Sequence, residues 1–575
     1  MTQQHTSDPG NLSLDILDRL PEHQDDIAFA RQVDGHWQDV TLGAFHGQVT
    51  SLAKGLMAAG VSAGDRVVIL SKTRYEWTVA DYAIWWIGAT TVPVYETSSI
   101  AQIAWILEDS GAVAAIVETE THLASVKEAG SPHLERTWCI ESGALDEITA
   151  GGHGISDEDL EARRAALASS TLATLIYTSG TTGRPKGCML THGNFRSELE
   201  AATSVLPELF TAKDASTLLF LPLAHVFARI IPIGSIRNGV KVGHTADIKD
   251  LPRHLGDFQP TFVLAVPRVF EKVFNSASTK AYANGRGKVF DRAATTAIAY
   301  SKSLDNGGPG LVLRGQHKLF DTLVYGKIRD ALGGKAQWAI SGGAPLGDRL
   351  AHFYRGIGVT VLEGYGLTET TAALCVNTPE DQRIGTVGRP VPGTEVRVSS
   401  DGELSFRGPQ VFTGYWNNDD ATAEALDPEG WFATGDLGEV DDDGFVRITG
   451  RRKEIIVTAG GKNVAPAVLE DRVRAHPYVS QCLVVGDGKP FVAALVTIDT
   501  ESWTGSLKDP ELRDEVQKAI DDANSQVSQA ESIRKFKIMA EDWTEENGYL
   551  TPSFKVKRNA VLRDFHDTVE ALFAR

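Results

Sequence analysis

The sequence predicts an α/β protein with three parts: a large N-terminal body of parallel sheets flanked by helices, a β-rich subdomain at about 385–450, and a small α+β C-terminal domain at 451–575. Three observations carry this reading. Short apolar runs alternate with longer amphipathic stretches over the first two thirds of the chain, the pattern of strands joined by crossover helices. Near residue 385 the runs shorten and turn residues multiply. After Gly450 a third character begins, with helical and strand patterns interleaved over a length typical of one domain.

Taken in order, 65–70 (Asp-Arg-Val-Val-Ile-Leu) reads as a buried strand, and 75–88 follows at helical spacing with Trp77, Trp85 and Trp86. Segments 112–117, 172–177, 217–221, 261–266 and 337–340 repeat the buried-strand pattern. From 396 to 448, Asp401-Gly402, Asn417-Asn418, Pro428-Glu429-Gly430 and Asp441-Asp442-Asp443-Gly444 punctuate short strands, as in hairpins. Beyond the boundary at Gly450-Arg451-Arg452-Lys453, 464–476 reads as a helix, 481–485 and 491–498 as strands, and 510–533 as a helix. No internal repeat appears at solenoid or propeller periods.

At 575 residues the chain exceeds one ordinary domain. With 42% hydrophobic and 23% charged residues it is neither disordered, collagenous nor a coiled coil. Lys and Arg number 56 against 75 Asp and Glu, a formal charge of 56 − 75 = −19, which argues against general nucleic-acid binding. Cys139, Cys188, Cys375 and Cys482 are widely spaced, which disfavours a disulfide framework or zinc site and fits buried thiols in a reducing cytoplasm. No apolar run reaches membrane-spanning length, and residues 1–10 lack the order of a signal peptide. One stretch runs against the overall charge: Arg268 to Lys335 holds 12 Lys/Arg and 5 Asp/Glu, 12 − 5 = +7. Solvated helix faces are the simple account. A surface for anionic membrane headgroups or a polyphosphate ligand is the sharper one.

The most informative segment is Tyr177-Thr178-Ser179-Gly180-Thr181-Thr182-Gly183-Arg184-Pro185-Lys186-Gly187, directly after a buried-strand pattern. Three glycines let backbone N–H groups approach a polyanion, four serine and threonine hydroxyls supply short donors, and Lys186 adds a point charge. It is not a Walker loop, because Lys186 follows Pro185 and precedes Gly187.

This string resembles the phosphate loop of the AMP-forming acyl-CoA synthetases, within the superfamily that also holds peptide-synthetase adenylation domains and luciferases. Further segments resemble that family's motifs in order. They are Ser341-Gly342-Gly343-Ala344-Pro345-Leu346, Glu363-Gly364-Tyr365-Gly366-Leu367-Thr368-Glu369-Thr370, Trp431-Phe432-Ala433-Thr434-Gly435-Asp436, Gly450-Arg451-Arg452-Lys453-Glu454 and Thr551-Pro552-Ser553-Phe554-Lys555-Val556-Lys557-Arg558. The resemblance implies ATP-dependent conversion of a carboxylic acid to an acyl-adenylate with release of pyrophosphate, then transfer to CoA. ATP, Mg²⁺ and CoA are the implied cofactor and co-substrates.

By resemblance, Thr178, Ser179, Gly180, Thr181, Thr182, Gly183 and Lys186 hold the β- and γ-phosphates. Gly342, Gly343 and Ala344 border the adenine, with Glu363, Gly364, Tyr365 and Gly366, and Tyr365 stacks on the ring. Thr368 contacts the α-phosphate, Glu369 ligates Mg²⁺, and Asp436 takes the ribose hydroxyls with Arg451 in support. His225 lies beside the acyl carboxylate. Lys555 is the catalytic lysine, with Lys557 as the alternative because Phe554 stands where the family usually has Gly. Lys453 matches the pivot about which a mobile C-terminal domain turns, withdrawing Lys555 and presenting 458–466 to the thiol.

Val266-Pro267-Arg268-Val269-Phe270-Glu271-Lys272-Val273, Leu221-Pro222-Leu223-Ala224-His225-Val226-Phe227-Ala228-Arg229 and the helical insert 271–331 resemble the long-chain fatty-acid branch. In some such enzymes an aromatic gate lies four positions past the histidine, where this chain has Arg229. Two alternatives remain open: a fatty-acyl-AMP ligase that loads a carrier-protein pantetheine, and a non-catalytic nucleotide- or lipid-binding protein of the same fold.

Overall fold

The computed structural model describes residues 10–178, 184–210, 212–246, 250–551 and 554–574. The N-terminal body is built on three sheets. The largest has spatial order Arg136–Cys139, Ala114–Val117, Arg66–Leu70, Thr90–Val94, Leu172–Thr178, Lys186–Thr191. Its strands pair in parallel except for the last, which is antiparallel to Leu172–Thr178. Every residue of Thr90–Val94 and Ala114–Val117 is buried, as strands covered on both faces must be. The helix Tyr75–Trp86 is buried almost all round, and Trp85 Nε1 donates to the carbonyl of Ala173 at 2.8 Å.

A second sheet places Phe262–Ala265, Trp338–Ser341 and Thr360–Tyr365 in parallel and adds two antiparallel edge pairs, Cys375–Val376 and Arg389–Pro390. A third joins the N-terminal hairpin Ile27–Val33/His36–Thr41 to the parallel strands Lys241–His244 and Ser216–Leu219. The β-rich part is an antiparallel meander of Glu395–Val398, Glu403–Arg407, Phe432–Val440 and Val446–Arg451. Asp401-Gly402 and 441–444 form its tight turns, whereas Asn418 caps the helix Asp419–Ala425 by accepting from Ala421 N at 3.0 Å.

Residues beyond 455 pack around a sheet of Val479–Val485, Val492–Ile498 and Ile533–Ile538. Helices Pro466–Arg474 and Pro510–Asn524 share one apolar cluster with it, and Arg558–Asp564 and His566–Phe573 share another. The expected helix over 510–533 stops at Asn524. The Asn524 side chain accepts from Ile533 N at 2.7 Å and donates to Ile533 O at 2.9 Å, so one residue ends the helix and anchors the next strand. All four cysteines are buried and free. Among the described residues no helix is long and apolar enough to cross a membrane.

Candidate active site

The strands Leu172–Thr178, Phe262–Ala265, Trp338–Ser341 and Thr360–Tyr365 deliver their C-terminal ends to one cleft of about 730 Å³, where open α/β sheets gather ligands. The meander supplies a wall through Asp436 and Arg451, and the C-terminal part reaches in with Lys555 and Lys557. Thr178, Lys186, His225, Gly342, Gly343, Gly364, Tyr365, Gly366, Thr368, Glu369 and Lys453 line the same space. Ala344 and Glu363 do not line it. Glu363 accepts from Leu346 N at 3.3 Å, and burial raises its carboxyl to about 8. Ser179, Gly180, Thr181, Thr182 and Gly183 lie outside the described residues.

Thr178 and Lys186 face each other across the antiparallel ladder, and both line the cleft. Lys186 Nζ sits 4.9 Å from the ring centroid of Tyr415, whose hydroxyl donates to Glu369 Oε1 at 2.9 Å. Tyr415 thus spans the lysine and the carboxylate. No sequence pattern pointed to it.

Glu369 sits in a single turn, Thr368–Thr370, after which Thr371 and Ala372 take φ of 56° and 110°. The chain doubles back so closely that a Cβ on Gly366 would lie 1.4 Å from the Ala372 carbonyl oxygen. The Thr371 hydroxyl fixes the reversal by donating to Gln410 O at 2.7 Å.

Asp436 and Arg451 are direct partners in the meander register, and Arg451 Nε lies 3.0 Å from Asp436 Oδ1. The Tyr365 hydroxyl donates to Asp436 Oδ2 at 2.6 Å. Burial raises the Asp436 carboxyl above its ordinary value, with Arg451 pulling the other way.

His225 precedes the helix Val226–Asn238, and its Nδ1 accepts from Phe227 N at 3.2 Å. That bond selects the tautomer with its proton on Nε2. Burial, then Lys555, lowers the imidazole to about 4, so the ring is neutral at pH 7. Lys555 keeps access to the solvent of the cleft, yet the protein around it, followed by Arg451, lowers its ammonium to about 8.

The residue before it carries strain. Phe554 has φ of 61°, a left-handed conformation rare for a bulky side chain. A short hairpin holds it there: Phe554 N donates to Thr551 O at 2.8 Å and Thr551 N to Lys555 O at 2.8 Å. This geometry accounts for glycine being usual at that position, and the Phe554 ring is retained through packing on the C-terminal apolar cluster.

The cleft also has an apolar arm. Leu199, Ala202, Leu206 and Phe210 line it from one helical stretch, and Phe227, Ile230, Ile231 and Gly234 from another. A Cβ on Gly234 would meet Leu199 Cδ2 at 2.7 Å, so glycine lets the two walls close. Glu198 also lines the arm; burial pushes its carboxyl well above the ordinary range, against the bond its Oε1 accepts from Ala373 N at 2.9 Å. Both sets fall at i, i+3/i+4, i+7 spacing, a signal legible in the sequence. Arg229 is not a gate. It is 1% exposed, donates to both Asp81 oxygens and lies over Trp77 and Trp85, each 5.2 Å away.

Among the described residues no group of three or more His, Cys, Asp and Glu side chains is placed to hold a metal ion. The cleft thus joins polar and charged groups, Thr178, Lys186, Glu369, Asp436 and Lys555, to an aliphatic arm. The chain belongs to the AMP-binding enzyme family, which matches residues 18–416, and the AMP-binding enzyme C-terminal domain matches 453–575. It is 51% identical over 583 residues to the long-chain-fatty-acid–CoA ligase FadD15 of Mycobacterium bovis and of Mycobacterium tuberculosis, covering 98% of this chain and 97% of each relative. The human long-chain-fatty-acid–CoA ligase ACSBG1 is 29% identical, over 97% of this chain and 84% of that protein. The fold matches the A domain of a carboxylic acid reductase from Segniliparus rugosus, solved with AMP and a co-purified carboxylic acid. The TM-score is 0.79 at 22% identity, covering 100% of this chain and 95% of that one.

Proposed function

We propose that this protein is a long-chain-fatty-acid–CoA ligase that forms AMP. The observation that carries the reading is the joining, in one cleft, of an aliphatic arm to a polar end bearing Lys186, Glu369, Asp436 and Lys555. An aliphatic tail gains about 0.8 kcal/mol per buried CH₂, so the arm supplies affinity without polar contacts.

In the first step a carboxylate oxygen of the acid attacks the α-phosphorus of ATP, and the bond to the bridging oxygen breaks to release pyrophosphate. Two anions must meet, so the protein's part is alignment and neutralisation. Thr178 and Lys186 hold the outer phosphates, Thr368 the α-phosphate, and Asp436 with Arg451 the ribose. Lys555 places its ammonium on the oxygens that gain charge. Neutral His225 offers its Nε2 proton to the acyl carboxylate. Glu369 presents a single carboxylate beside the phosphate end, a donor set that suits Mg²⁺ with its remaining ligands from phosphate and water. Bound there, Mg²⁺ supplies further charge neutralisation.

In the second step the thiol of CoA attacks the acyl carbonyl and AMP leaves. We place the mobile unit at 451–575, with Lys453 as pivot; the arrangement with Lys555 in the cleft is the one adenylation needs. Four buried, free thiols fit a cytoplasmic setting.

The test mixes the protein with ATP, Mg²⁺, palmitate and CoA. AMP, pyrophosphate and palmitoyl-CoA in equal amounts are expected. ADP with phosphate would overturn the adenylation reading, and adenylate that never reaches CoA would favour a ligase serving carrier-bound pantetheine.

A further inference from the structure

The helix Leu311–Phe320 contains no buried residue. Its inward side is held by His317, which stacks on Tyr300 at 3.8 Å and meets Gly356 O at 2.6 Å. Its outward side is apolar. Leu311 is 86% exposed, Val312 77%, Leu319 57% and, in the turn that follows, Leu323 50%. At about 100° per residue these four and Gly315 share one face. Single exposed leucines are ordinary, but four on one face mark a contact surface.

The edge of that face is cationic. Arg314 and Lys318, both exposed on the same helix, flank it at about 100° per residue. Two acids of the flanking segments are already paired, Asp305 with Arg355 at 2.6 Å and Asp321 with Arg329 at 2.7 Å. This happens in a chain of net charge −19. A symmetric pairing of two copies would bring two such cationic edges into one interface with no acidic patch to meet them. An anionic bilayer matches both the apolar face and the cationic edge.

We propose that this helix seats on anionic phospholipid membranes. Leu311, Val312, Leu319 and Leu323 enter the boundary between headgroups and acyl chains, while Arg314 and Lys318 meet lipid phosphates. The proposal stands independently of the catalytic reading, since none of these residues lines the cleft.

The test is co-sedimentation of the full chain with vesicles of phosphatidylcholine alone or mixed with phosphatidylglycerol. Binding to the mixed vesicles is expected, weakening with salt and with removal of phosphatidylglycerol. The L311E/L319E variant should lose roughly tenfold or more of that binding while keeping its thermal midpoint and its turnover of dispersed acid. R314E/K318E should remove the preference for phosphatidylglycerol. Absent wild-type binding, or L311E/L319E that binds as well as wild type, would overturn the proposal. A wild-type dimer that L311E/L319E makes monomeric, without vesicle binding, would assign the face to self-association instead.

Discussion

Replacing Lys555 with alanine should separate the two half-reactions. Its ammonium, set roughly 4 Å from the transferring oxygens, would contribute between about 1 kcal/mol in water and about 4 kcal/mol at an effective dielectric of 20. Lys555 keeps solvent access in the cleft, so the upper figure is too high. About 3 kcal/mol, or on the order of 10² in rate, is the expected loss in pyrophosphate release with palmitate. Thioester formation from supplied palmitoyl-AMP should change less than about threefold if the proposed rotation of 451–575 withdraws the lysine for that step. The neighbouring Lys557→Ala should leave both halves near wild type. A pH series adds a second reading. The Lys555 ammonium is lowered to about 8, so in the free enzyme it is charged below that pH and loses its proton above it. Adenylation kcat/KM should therefore fall as pH rises through about 8, and Lys555→Arg should shift that limb upward because guanidinium stays protonated. Equal loss of both half-reactions in Lys555→Ala, or adenylation that stays within threefold of wild type, would refute the assignment.

Arg229→Met should cost about 3–5 kcal/mol of stability by stranding the buried Asp81 carboxylate, and Arg229→Met/Asp81→Leu should recover most of it in urea unfolding. A fall in kcat/KM at unchanged stability would instead make Arg229 a substrate contact. Phe554→Gly should relieve a strained φ and keep adenylation within about threefold, whereas Phe554→Val, β-branched at φ of 61°, should lose more than about tenfold. Equal activity of the two in the pyrophosphate assay would remove the strain argument. Gly366→Ala should abolish adenylation, since its methyl has no room beside the Ala372 carbonyl; measurable nucleotide binding near wild type would contradict that.

The main sheets were legible because their strands hold unbroken apolar runs: residues 67–70 and 114–117 have no other reasonable use. The meander announced itself through Asp401-Gly402 and Asp441–Gly444. The N-terminal hairpin carried an equally good signal, Asp34-Gly35 at φ of 51° and 77°, between strands that the apolar-run criterion passed over because one of them is mostly exposed. The end of the helix at Asn524 was not legible, because it depends on side-chain bonds to Ile533, a residue on another element. The site divides the same way. Asp436 and Arg451 each sit in a local motif of their own, 431–436 and 450–454, and strand register then pairs them. Tyr415 is brought to Lys186 and Glu369 only by the tertiary fold. Arg229 occupied a position suggestive of the acyl site, yet Asp81, Trp77 and Trp85, far away in the chain, draw it into the core. The conformation of Phe554 explains a departure that the sequence could only register.

The most direct measurement is a crystal structure with an uncleavable palmitoyl-adenylate mimic. The adenosine should lie against Tyr365 with its ribose on Asp436, the alkyl chain between Leu199 and Ile230, and the Lys555 ammonium at the acyl–phosphate junction. An alkyl chain outside that arm, or an adenosine seated away from Tyr365 and Asp436, would contradict the account.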